Sequence, residues 1–164
     1  MKRDKKKSLF SWIAVVIWMA VIFLLSAQTA NQSGNLSGGI VRWFVSLFYR
    51  DFDAFSVERQ NEILSVWSLV IRKGAHFSEY AVLAILLSNA FRLMEKQTWV
   101  LPVVISALYA VTDEIHQYFV PGRACRLLDV GIDTCGAMFG TALFALGIYL
   151  WNRRKKPTPY GVGF

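Results

Sequence analysis

The sequence predicts an all-α integral membrane protein, a four-transmembrane-helix bundle with amphipathic helices in a long outer loop between spans one and two. Three observations carry that prediction. Of 164 residues 55% are hydrophobic and mean hydropathy is +0.39, more apolar side chain than one small core can enclose. The cations are bunched at the two ends, Lys2, Arg3, Lys5, Lys6 and Lys7 against Arg153, Arg154, Lys155 and Lys156, each block beside an apolar run. Between those blocks, ionisable residues recur where apolar segments end, above all in Thr112–Asp133, TDEIHQYFVPGRACRLLDVGID. The net charge of +7 and pI near 9.7 would suit a nucleic-acid binder in amount, but terminal blocks beside apolar segments fit membrane topology, and no nucleic-acid partner is expected.

Residues 1–8 form a basic N-terminus. The first span, about 9–28 (LFSWIAVVIWMAVIFLLSAQ), carries no charge and at ~1.5 Å per residue reaches ~30 Å, the thickness of a hydrocarbon core. A basic start and the small residues Ser26, Ala27 and Ala30 would also fit a cleaved signal peptide, but the apolar run is longer than the roughly 7 to 15 residues of a signal core. An outer loop, 29–74, opens with NQSGNLSGG, which is expected to break the helix after Gln28. Within it Ile40, Trp43, Phe44, Leu47 and Phe48 recur at helical spacing. Phe55, Ile63, Val66, Trp67 and Val70 do so again, leaving Glu58, Arg59, Gln60 and Glu62 to water. Such segments lie on a membrane interface, lid other helices or gate a site.

Three further spans are expected at about 75–92, 98–120 and 127–151, with Arg92, Glu95 and Lys96 in a short polar link and a basic tail at 152–164. The positive-inside rule then places both termini and the 92–97 link in the cytoplasm of a multi-pass cell-membrane protein. The outer loop has cations of its own, but acids at 51, 53, 58 and 62 accompany them. Pro121-Gly122 supplies the reversal between spans three and four, and Gly136 and Gly140 form a GxxxG suited to close helix contact. Cys125 and Cys135 stand too far apart along a helical path for a bridge, so two thiols are expected.

This topology brings the polar residues to one depth. Ser26 and Gln28 end the first span; Arg72, Lys73, His76, Glu79 and Tyr80 open the second; Asp113, Glu114, His116 and Gln117 end the third. Arg123 lies on the turn, and Asp129 and Asp133 open the fourth. His76, Glu79 and Tyr80 stand at i, i+3, i+4, as do Asp113, His116 and Gln117, while Asp129 and Asp133 stand at i, i+4, so each helix offers one polar face. Intramembrane acids and bases face inward and pair, because lipid exposure costs several kcal/mol each. A purely structural network, Arg72 or Arg123 with Asp113, Glu114 or Asp129, would satisfy that rule too.

Two chemistries suit such a cluster. The HxxE of 76–79 and the DxxH of 113–116 could hold a divalent metal, although di-metal bundles usually repeat Glu-x-x-His on two helices. Without metal, a histidine beside a carboxylate can move a proton, and Arg72, Lys73 and Arg123 can clamp a phosphate or carboxylate. No serine or cysteine has the local signature of an activated nucleophile.

SAQ at 26–28, RKGAHFSEY at 72–80, DEIHQYFVPGR at 113–123 and DVGIDTCG at 129–136 together resemble the VanZ-like membrane family over about residues 10–150. The resemblance carries family positions onto Ser26, Gln28, Arg72, Lys73, His76, Glu79, Tyr80, Asp113, Glu114, Gln117, Arg123, Asp129 and Asp133. This chain departs from the pattern at Arg126, Leu127 and Leu128, where a serine or threonine often precedes the aspartate, and His116 belongs to the chain more than to the pattern. The resemblance implies a small bacterial envelope protein linked to teicoplanin-type antibiotic tolerance. Two functions stay open. In one, the site binds an anionic lipid, a lipid-linked precursor or a lipoglycopeptide through Ser26, Gln28, Arg72, Lys73, Tyr80, Gln117, Arg123, Asp129 and Asp133. In the other, it transfers or hydrolyses a phosphate or acyl group, with His76, Glu79, Asp113 and Glu114 as the catalytic set and a divalent metal as one option. Membrane lipids are the expected partners, and oligomeric state is left open.

Overall fold

The computed structural model describes residues 5–28, 30–96, 98–122 and 126–155, excluding the side chains of 30–37. Among these the chain is all-α: α1 Lys5–Ser26, α2 Ala30–Phe48, a 3-10 turn Phe52–Ala54, α3 Val57–Leu93, α4 Val100–Tyr118 and α5 Leu127–Arg154. Of the described helices, α1 and α5 are long and apolar enough to cross a membrane. These match the first and fourth expected spans. Helix α4 occupies the position of the third, its apolar run interrupted by Asp113, Glu114 and His116.

Two local expectations are corrected. The glycine-rich NQSGNLSGG does not form a loop; it is the start of α2. Each glycine costs a helix only ~1 kcal/mol. The other end of α2 buries Val41 and Val45 against Phe52 and Ile63, with Tyr49, Leu64, Trp67 and Ile71 around them, and that burial outweighs the local preference. The second correction concerns the amphipathic segment after Phe55 and the span expected from residue 75, which form one 37-residue helix, α3. Ser56 caps its start, accepting from the Arg59 amide at 3.4 Å, and the sole interruption of its sequence is Gly74, too weak a breaker to end it. At ~1.5 Å per residue α3 is ~55 Å long, far beyond a ~30 Å hydrocarbon core. Its first half therefore stands clear of the main bundle, carrying α2 on its flank.

Helix α3 ends in a Schellman motif: the Lys96 amide donates to Phe91 O at 3.1 Å and the Glu95 amide to Arg92 O at 3.0 Å. Glu95 takes the left-handed position, φ 61°, where glycine fits without Cβ crowding. Glu95→Gly is expected to raise thermal stability by about 1 kcal/mol, measurable as a higher melting temperature in detergent.

The main bundle packs α1, α3, α4 and α5 around Val15, Ile22, Tyr80, Leu83, Leu87, Ala90, Phe91 and Ala110. Trp12 of α1 meets Phe91 edge-on at 5.5 Å and donates to Met94 Sδ, so the start of α1 lies beside the end of α3. The Tyr109 hydroxyl donates to Met19 O at 2.7 Å and Trp18 Nε1 to Glu79 O at 2.9 Å. Helices α3 and α5 run parallel and touch through Gly136 against Phe77 and Gly140 against Ala81, the close contact the GxxxG predicts. One end of the bundle thus collects the start of α1, the end of α3 with Glu95 and Lys96, and the end of α5 with their cations. The other collects Ser26, Arg72–Tyr80, Asp113–Gln117 and Leu127–Asp133. Large apolar side chains such as Leu24, Leu108 and Met138 point outward along the bundle, a surface suited to lipid. Cys135 is a free thiol, and Cys125 lies outside the described residues.

Candidate functional site

The polar end is organised in depth. At its rim Lys73 of α3 forms an ion pair with Asp129 in the first turn of α5, where a carboxylate also complements the helix dipole. Arg126 precedes that turn in extended conformation, and its amide donates to Glu114 Oε2 at 2.8 Å, tying the entrance of α5 to the end of α4. Below the rim a cleft of about 110 Å³ is lined by Arg72, Lys73, His76, Gln117, Asp129 and Asp133. Arg126, Gly122, Leu69 and Ile132 complete its walls.

At the floor the His76 imidazole stands between two carboxylates, its Nδ1 3.9 Å from Glu79 Oε2 and 3.9 Å from Asp133 Oδ1. Both distances exceed hydrogen-bond length. Exposure falls steadily inward, from 37% for the Lys73 side chain and 26% for Asp129 to 16% for His76 and 1% for Asp133. Neither carboxylate oxygen of Asp133 has a hydrogen-bond partner among the described residues.

Behind the floor, Ser26 Oγ donates to Asp113 Oδ2 at 3.0 Å, and Gln117 Nε2 donates to Ser26 Oγ at 2.7 Å and to Asp113 Oδ2 at 3.2 Å. This closed set joins the end of α1 to α4 and buries all three side chains. Asp113→Ala would remove the acceptor of two hydrogen bonds and is expected to cost about 3 kcal/mol, against about 1 kcal/mol for Asp113→Asn, which keeps an acceptor. Thermal melting of the two purified variants checks the order.

A family model described as VanZ/LLP1 matches residues 10–150. The chain belongs to the VanZ/LLP1 family. No curated protein and no solved structure matches it. The VanZ/LLP1 match takes in the polar end from Ser26 to Asp133.

Within this VanZ/LLP1 fold, the residues singled out in the sequence separate into three groups. Arg72, Lys73, His76, Gln117, Asp129 and Asp133 line one cleft. Ser26, Asp113 and Glu114 stand around it, hydrogen-bonded to its walls, and Glu79 stands 3.9 Å from His76. Tyr80 is fully buried in the main core, its ring 6.3 Å from Tyr109, and does not line the cleft. Gln28 is half-buried just past the end of α1, and Arg123 lies outside the described residues. The His116 ring lies 4.3 Å from that of Phe23, tilted by 32°, a contact apart from that of His76. Among the described residues no group of three or more His, Cys, Asp and Glu side chains is placed to hold a metal ion.

Arg126 also lines the cleft, a place that the sequence did not assign to it. It falls just before the fourth apolar run and reads as a boundary residue. Its spacing of three from Asp129, beside the Pro121-Gly122 reversal, is the signal that could have placed it at the rim.

Proposed function

We propose that this VanZ/LLP1 protein is a multi-pass protein of the bacterial cell membrane whose outer-leaflet cleft binds the anionic group of a lipid-like molecule. The carrying observation is the cleft itself, where Arg72, Lys73 and Arg126 surround a confined space walled partly by Leu69 and Ile132. Cations at the edge of a low-dielectric space suit a phosphate or carboxylate, and the apolar walls suit the chain attached to it. The alternating course of α1, α3, α4 and α5 supports four spans. The basic side chains at the opposite end support cytoplasmic termini, which places the cleft toward the outer leaflet. Phospholipids, cell-wall lipid precursors and acylated glycopeptides share this chemistry, and sequestering or re-presenting one of them accounts for a contribution to teicoplanin tolerance.

Purified full-length protein carrying Arg72→Ala and Arg126→Ala is expected to retain dioleoylphosphatidylglycerol at least roughly tenfold more weakly than wild type, since each lost charge-assisted hydrogen bond contributes appreciably. The same variant should give no protection against teicoplanin in a strain that wild type protects. Unchanged lipid retention would sink the reading. For topology, a reporter fused after Trp151 should stay cytoplasmic and one inserted near Asn31 should be exported; the reverse pattern turns the cleft to the cytosol.

The placement of His76 between Glu79 and Asp133 supports a second reading, acid–base transfer or hydrolysis at a phosphate or acyl group. Product formation lost in His76→Gln, with lipid retention intact, would favour it over binding alone.

A further inference from the structure

Asp133 is more deeply enclosed than any other charged side chain lining the cleft, and an anion clamp alone has no use for it. It is fully buried, it lines the cleft, and neither of its carboxylate oxygens has a hydrogen-bond partner among the described residues. The imidazole of His76 stands at 3.9 Å, too far to donate a hydrogen bond. An acceptor left open at the bottom of a site is costly unless something brings a donor to it. Arg72, Lys73 and Arg126 stand at the mouth of the cleft, and this open acceptor lies at its floor.

Resting on the anion-binding reading above, we infer that the ligand is a membrane lipid whose headgroup joins a phosphate to a hydrogen-bond donor, an ammonium or a hydroxyl, and that Asp133 reads that donor. The phosphate sits among Arg72, Lys73 and Arg126, and the donor reaches Asp133. A headgroup with the same phosphate and no N–H or O–H leaves Asp133 desolvated and unpaired, which is how buried polar groups reject an analogue that lacks the matching group.

Dioleoylphosphatidylethanolamine and dioleoylphosphatidylcholine isolate this step, because they share the phosphate and net charge and differ in the N–H donors. Lipid adducts on the full-length protein, counted by native mass spectrometry from detergent, should favour phosphatidylethanolamine by roughly fivefold or more, the lower end of what one unmade buried hydrogen bond costs. In Asp133→Asn the preference should shrink, and in Asp133→Leu, which fills the space without an acceptor, it should vanish. Arg72→Ala with Arg126→Ala should instead weaken both lipids together and keep their ratio. Equal retention of the two lipids by wild type overturns the inference, as does a preference that survives Asp133→Leu. Either result leaves the anion clamp standing if the arginine variant still weakens both lipids. Soluble glycerophosphoethanolamine should fail to displace the lipid at equal concentration; equal displacement would overturn the assignment to a lipid.

Discussion

Replacing Gly140 with leucine is expected to separate α5 from α3 and to collapse the cleft with them. A Cβ at position 140 would stand 2.1 Å from the Ala81 carbonyl oxygen, 2.7 Å from its carbon and 2.8 Å from Ala81 Cα. At Gly136 the corresponding approach to the Phe77 carbonyl oxygen is 2.2 Å. These are backbone atoms inside a helix, so no rotamer change relieves the clash and the helices themselves must part. Between lipid-facing helices, where water no longer drives association, such close approach is itself the main source of cohesion. Overpacking of this kind costs about 3 kcal/mol or more, a large share of the ~5–15 kcal/mol that holds a typical domain together. The functional loss should exceed the loss in stability, because α3 contributes Arg72, Lys73 and His76 and α5 contributes Asp129 and Asp133 to the same cleft. Gly140→Leu should therefore lower the melting temperature of the detergent-solubilised protein by many degrees and abolish phosphatidylglycerol retention. Gly147→Ala, farther along the same helix with nothing within 4 Å of its Cβ position, is the control and should be neutral or up to ~1 kcal/mol stabilising. A Gly140→Leu protein that melts like wild type would mean that α3 and α5 do not meet there.

The gathering of polar residues at one end was legible because helical spacing is a local property. His76 with Glu79, and Asp113 with Gln117, lie on shared faces whatever surrounds them, and the structure packs those faces together. Spacing does not say what a face meets. Tyr80 shares the stripe of His76, but it also begins the run Leu83, Ala84 and Leu87, and that apolar stripe takes it into the core. Where local preference and tertiary packing disagreed, packing decided the outcome: Val41 and Val45 hold a glycine-rich stretch in α2. The sequence IRKGA at 71–75 reads as the entry to a span, although α3 passes through it unbroken. Its charges mark the depth of the cleft along a longer helix. No pattern in sequence could show that Asp133 would be enclosed with both oxygens open, because that depends on three helices meeting around it.

Exchanging the rim charges, Lys73→Asp together with Asp129→Lys, is expected to recover helix docking without recovering ligand binding. Lys73→Met alone leaves the Asp129 carboxylate without its cation, and Asp129→Asn alone leaves the lysine without its anion. Both side chains are partly exposed, so solvent screens the loss and each single change should cost only about 1 kcal/mol. The exchange restores an opposite-charge pair between α3 and α5. It also places a cation in the first turn of α5, against the helix dipole, so recovery should fall short by about 0.5 kcal/mol. On the anion-binding proposal, the ligand meets a different rim. The α3 side now carries a carboxylate directly after Arg72, opposing the anion where Lys73 attracted it, and phosphatidylglycerol adducts should fall by more than roughly tenfold. Melting temperature and lipid retention are thus expected to separate in one protein. Recovery of both would make Lys73 a structural partner of Asp129 and remove it from the anion clamp; recovery of neither would mean that the pair acts through its exact geometry and not through its charges.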